Sequence, residues 1–180
     1  IEINEDGSKL FLLFMDNTAS DGVGGRIYEF NLSTPFDLSS SSISLVLDAG
    51  IILSEDTSTG VHGPASIRFS ANGKRLFVTS HAPGATKRIT QISLTNAYDT
   101  SSFVIDGSYD LSNASYNNSQ PRGIAFNSSG LKMYLTKDRS GNPNAGLDQV
   151  LEYDLVCPFN IIAGKCPSIT ENKDRAGLAI

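Results

Sequence analysis

The chain has 180 residues, 39% of them hydrophobic, and no tryptophan; that length and apolar content suit one ordinary folded domain and exclude a disordered segment. A net charge of -5, a pI near 4.9 and fourteen scattered Lys and Arg exclude a nucleic-acid surface, which must gather cations against phosphate. No apolar run approaches the roughly 20 residues that cross a bilayer, and the opening "IEINEDGSKL" lacks the basic-then-apolar order of a signal peptide, so any export signal is expected to have been removed or to lie outside this piece.

In chain order, Ile1 and Ile3 alternate in the period of a half-buried strand, "EDG" supplies a tight turn at Gly7, and Lys9 to Leu12 begin a second strand. After "MDNTASDGVGG" comes "RIYEFNLSTPFD" from Arg26, a third strand in which Phe30 falls off strict period two, so a bulge is expected there. Pro35 stops the ladder and the aromatic after it, Phe36, can tuck against the sheet. "SISLVLD", ending at Asp48, is the fourth strand.

The same phrases then return. "ASIRFSANGKRLFVTSH" from Ala65 and "RGIAFNSSGLKMYLTKD" from Arg122 align without gaps when Gly73 is set over Gly130, and Gly7 fits the same template. "RITQISLTNAYD" from Arg88 and "QVLEYDLVCPFN" from Gln149 repeat the third strand, and "SFVIDG" repeats the fourth. The glycines are 66 and 57 residues apart, and Ile27, Ile89 and Val150 are 62 and 61 apart, so one unit is about 60 residues. Leu76 to Val78 are apolar on both faces, as a strand between two packed neighbours must be.

Four strands per repeat, with repeats above 40 residues, is the signature of a β-propeller blade; a sandwich would not repeat its side chains. The expected fold is therefore all-β: a β-propeller-type repeat of about three four-stranded antiparallel blades, the first and last incomplete. The unit "P-x-x-I-x-F-x-x-x-G-x-K-[LM]-[FY]-[VL]" followed by "V-x-[EQ]-[YF]-x-L" resembles the NHL and YVTN kind of propeller repeat found in many secreted and surface proteins. The "STPFD" strand end and the exit "CPFNIIAGKCPSITENKDRAGLAI" are similar to propeller regions of large surface or secreted proteins of aquatic bacteria. That resemblance implies an extracellular or cell-surface location.

The expected organisation is repeat 1 over residues 1–63, truncated at its N-terminal side, repeat 2 over 64–120, repeat 3 with a cysteine loop over 121–166, and a polar exit segment over 167–180. Three blades are too few to close a ring. No fourth strand is evident after Cys166. Either the chain is part of a longer propeller, or identical chains complete one another by strand addition at open edges. Cys157 and Cys166, the only cysteines, read as a disulfide stapling the last edge in an oxidising compartment, with two free buried thiols as the alternative.

The loops between second and third strands should emerge together and form the binding surface. They hold Asp16, Asn17 and Asp21 in the first unit and Asp138, Asn142, Asn144 and Asp148 in the third. These oxygen-rich loops are candidates for calcium or another ligand, but they lack ordered calcium-loop spacing, so solvated turns are the simpler reading. His62 and His81, the two histidines, recur in no other unit, and no G-x-S-x-G elbow is present. Asn31, Asn113, Asn117 and Asn127 begin sequons and are candidate glycosylation sites. Phe36, Tyr98 and Phe159, with Phe11, Phe77 and Tyr134, occupy fixed repeat positions, which reads as inter-blade core rather than a sugar-stacking set.

The functional expectation is a non-catalytic extracellular structural or binding module without cofactor. It would serve surface adhesion or be a subunit of a fibre or oligomer, with itself, the rest of a longer chain, or surface glycans or proteins as partners. The alternative is a segment of a propeller hydrolase or lactonase whose site lies mainly in other blades.

Overall fold

The computed structural model describes residues 1–15, 25–48, 63–81, 87–111, 120–138, 149–162, 170–171 and 178–179. Thirteen strands are described, with a single 3-10 turn at Leu38–Ser40, and they form three antiparallel sheets. Sheet 1 takes β1 (Glu2–Ile3), β2 (Lys9–Met15), β3 (Gly25–Leu32) and β4 (Ser41–Asp48) in sequence order. Sheet 2 takes β5 (Gly63–Phe69), β6 (Arg75–His81), β7 (Arg88–Leu94) and β8 (Phe103–Asp110) in the same order. Sheet 3 begins alike with β9 (Gln120–Phe126), β10 (Lys132–Asp138) and β11 (Gln149–Asp154).

Sheet 3 corrects one expectation. The fourth position, beside β11, is filled by two short strands, β12 (Thr170–Glu171) and β13 (Leu178–Ala179). They pair Tyr153 and Asp154 at one end of β11 and Gln149 and Val150 at the other. A two-residue strand is too short to show side-chain alternation in the sequence, so nothing announces it.

The expected bulge in the third strand lies opposite it. Between Glu29 and Phe30 the register to β4 shifts, leaving Ser44 as the extra residue, and between Gln91 and Ile92 it shifts around Asp106 of β8. First strands carry their own shift, with Ala65 extra in β5 and Arg122 extra in β9. A bulge bends and twists a strand; the one opposite the third strand recurs in sheets 1 and 2, and the one in the first strand in sheets 2 and 3.

The sheets pack face against face. Phe11 and Ile27 of sheet 1 meet Ile67, Phe69, Leu76 and Val78 of sheet 2 in one buried cluster. Phe77 and Ile89 of sheet 2 meet Ile124, Met133, Leu135 and Tyr153 of sheet 3 in a second. Leu76, Phe77 and Val78 are fully buried because β6 has a paired strand on each side and a packed sheet on each face.

Candidate functional site

The first hairpin of every sheet is closed by one repeated device. Gly7, Gly73 and Gly130 sit at φ of +72°, +67° and +69°, where a side chain is strained. Each glycine amide donates to the carbonyl of Asn4, Ser70 or Asn127, and each glycine carbonyl accepts from the amide of Phe36, Tyr98 or Phe159 at 2.8–3.0 Å. Those aromatics themselves have positive φ, 60°, 56° and 51°, and their rings lie so close over the glycines that a Cβ there would overlap them. The aromatic after the third strand thus locks the turn before the second.

The residue after each aromatic caps the next turn. Asp37 accepts from the amide and hydroxyl of Ser39 at 2.9 and 2.7 Å, and Asp99 from those of Ser101 at 3.0 and 2.5 Å. These hydrogen bonds, the hydroxyl's first, hold both carboxyls below their ordinary range.

At the junctions between sheets, side chains of one sheet grip backbone of the next. Lys9 pairs with the nearly buried Glu29 and donates to the carbonyl of Tyr98 at 2.9 Å. Glu29 in turn accepts from the Thr100 amide at 3.1 Å and its hydroxyl at 2.6 Å. One junction on, Arg75 donates to the carbonyl of Phe159 at 2.7 Å and Gln91 accepts from the Ile161 amide at 2.9 Å. The paired positions are the same: a cation starting the second strand and an acid or amide in the third. In sheet 3 these positions hold Lys132 and Glu152, with Asp154 also accepting from Lys132 at 2.8 Å. Bonds to Asp154 first, then Glu152, raise the Lys132 ammonium above its ordinary pKa.

Two of the clefts beside this packing border the hairpin turns and the first strands. One of about 260 Å³ is bordered by the hairpin turns and closing aromatics, among them Glu5, Ser70, Asn127, Tyr98 and Phe159. On its wall Glu2 takes a two-pronged contact from Arg68 at 3.1 Å, and burial first pushes the Tyr98 hydroxyl pKa up. The other, about 470 Å³, is lined by the first strands of all three sheets, including Glu2, Pro64, Ser66, Arg122 and Gly123.

The sequence-based site residues fall unevenly. Asp16, Asn17, Asp21, Asn142, Asn144 and Asp148 lie outside the described residues, as do Asn113, Asn117 and Cys166. Asp138, at the end of β10, accepts from Arg122 at 2.7 Å. Among the described residues no three His, Cys, Asp or Glu side chains gather as a metal cluster would require. Asn31 is exposed on β3, whereas Asn127 accepts from the Lys132 amide at 3.0 Å and shapes the turn. Tyr98 and Phe159 pack against the two cores as expected, but Phe36 is exposed, since no described sheet covers the face of sheet 1 on which it lies.

Two features escaped the sequence reading. The glycine–aromatic lock was half visible, in an aromatic at a fixed distance after each third strand. The junction pairs were visible as letters, Lys9, Arg75 and Lys132 with Glu29, Gln91 and Glu152, but across the two described junctions their partners are mostly backbone atoms, which leave no letter of their own. No protein family matches the chain, and neither does any curated protein or solved structure.

Proposed function

We propose that this chain is a non-catalytic extracellular or cell-surface module of β-propeller type, used as a structural or binding unit in adhesion or in a fibre or oligomer. The observation that carries this reading is the repeated junction, in which each sheet grips the next one's turn by the same cation and acid-or-amide pair. Such a module stacks by repetition, and its stability is roughly a sum of unit and neighbour terms. The first strands of all three sheets lining one cavity supports a radial arrangement around a common axis, as in a propeller.

Extracellular use accords with the acidic surface and with the pairing of Cys157 to Cys166, which forms part of this proposal. In its favour, no cysteine is free among the described residues. The loops at 16–24 and 139–148 remain the proposed ligand surface, with calcium as the ion their oxygens would suit.

The test is to assay the purified chain against ester and lactone substrates while measuring its association state and its binding to surface glycans. Absence of turnover together with self-association or glycan binding is the expected result. Sustained turnover that survives repurification would overturn the reading.

A further inference from the structure

The turns of the three first hairpins, through Glu5, Ser70 and Asn127, converge on the cleft of about 260 Å³. This is the end of the sheets at which β2, β6 and β10 begin. The volume is below the roughly 300–1,000 Å³ of clefts that hold drug-sized molecules, so it suits a single small ring. Tyr98 and Phe159 stand on its wall. Tyr98 packs on Phe69 at 5.1 Å and Phe159 on Phe126 at 5.3 Å, yet both are only half-buried, and the cleft meets the ring surface that remains. The face of an aromatic ring carries partial negative charge, which attracts the weakly positive C–H bonds of a saturated ring.

The polar groups of the cleft are of both signs and retain bonding capacity. Glu2 receives both its contacts from Nη1 of Arg68, so the Nε and Nη2 hydrogens of Arg68 stay outside that pair. The exposed Glu5 lies near enough to Tyr98 for its charge, after burial, to help push the hydroxyl pKa up. Among the described residues that hydroxyl reaches the Ala71 carbonyl alone, at 3.4 Å, beyond the roughly 2.5–3.0 Å of a good O–H···O bond. Asn127 uses its Oδ1 for the Lys132 amide at 3.0 Å and the Ser129 hydroxyl at 3.2 Å and keeps Nδ2 as a donor. An organic anion would meet Glu2 and Glu5 here, and an organic cation would meet Arg68. A neutral polyol pairs with all of them, because each hydroxyl both donates and accepts.

We propose that this cleft binds a neutral pyranose ring, one residue of a glycan. The ring lies against Tyr98 and Phe159, the Tyr98 hydroxyl and the Asn127 amide donate to its oxygens, and Glu5 accepts from its hydroxyls. This is a site separate from the loop surface proposed above, at the opposite end of the strands, and it does not depend on that surface.

Saturation-transfer NMR with titration on the whole chain tests it, using methyl glucoside, methyl galactoside, methyl mannoside and N-acetylglucosamine as probes. At least one should bind with a millimolar Kd and receive saturation at its ring protons, while glucuronate and protonated glucosamine bind more weakly. Tyr98→Phe removes the hydroxyl alone and should weaken binding about two- to tenfold, as for one neutral hydrogen bond, with an unchanged circular dichroism spectrum. Glu5→Ala, at an exposed position, should weaken it at least as much, because an ionised acceptor bonds more strongly. Asn31→Ala, exposed on β3, should leave it unchanged. Failure of every neutral probe to bind overturns the proposal, and so does binding that survives both Tyr98→Phe and Glu5→Ala or that favours a charged sugar. The non-catalytic module is judged separately, by turnover and by self-association.

Discussion

Replacing Gly73 by alanine probes the lock between the hairpin turn and the aromatic that follows the third strand. Two effects add. Holding a residue with a Cβ at φ +67° costs about 1–2 kcal/mol. The new Cβ also overlaps the ring of Tyr98, which must leave its place against Phe69 at 5.1 Å and Phe11 at 6.5 Å; an aromatic pair is worth about 0.5–1.5 kcal/mol beyond burial. Gly73→Ala should therefore destabilise by about 2–4 kcal/mol. In a Tyr98→Ala background only the backbone part remains, so the double-mutant cycle should show coupling of about 1–2 kcal/mol. Gly7→Ala should cost about 1–2 kcal/mol, because the exposed Phe36 can swing aside. Urea unfolding followed by far-ultraviolet circular dichroism and tyrosine fluorescence measures all four variants. Coupling under about 0.5 kcal/mol, the scatter expected of independent sites, or equal losses at Gly7 and Gly73, would refute the lock.

Removing Glu29 strips its partner from the buried Thr100 amide and hydroxyl, so Glu29→Ala should destabilise by about 2–3 kcal/mol and speed hydrogen exchange at Thr100. Glu29→Gln should lose much less, since Gln91 makes the equivalent contact. The carboxyls of Asp37 and Asp99 lie below the ordinary 3.8. Their stabilisation is therefore present above that pH and is lost as pH falls through the folded-state value; carboxyl NMR titration should show Ser101→Ala returning Asp99 towards 3.8. Asn127→Ala should destabilise by about 1–2 kcal/mol in urea melts, whereas Asn127→Ser should be tolerated, because Ser70 accepts the equivalent Arg75 amide at 3.0 Å. Reducing the proposed cysteine pair should lower stability by about 2–3 kcal/mol by loop entropy, seen as a lower urea midpoint in reductant that Cys157→Ser abolishes.

The strands were legible because their burial alternates in the sequence: Ile67 and Phe69 face a core while Arg68 between them reaches Glu2. The turns were legible because only glycine sits easily at their positive φ. The outer strands of sheet 3 were not, since 170–171 and 178–179 contribute backbone pairing without a side-chain pattern. Phe36 was misjudged for a different reason: repetition in sequence identifies equivalent positions, and burial depends on whether a neighbour is there to cover them. The junctions needed coordinates, because across the seam Lys9 and Arg75 find carbonyls.

That last point bears on how such a chain can change. The receiving partner at each of the two described junctions is chiefly main chain, the carbonyl of the aromatic and the amide two residues on, whether the local letter is Thr100, whose hydroxyl adds a bond, or Ile161. A unit need not recognise which unit follows it, only that the following one bends its backbone the same way. Duplication, loss or reordering of units would therefore leave every seam chemically satisfied, and the outer loops could diverge without any compensating change at the seams.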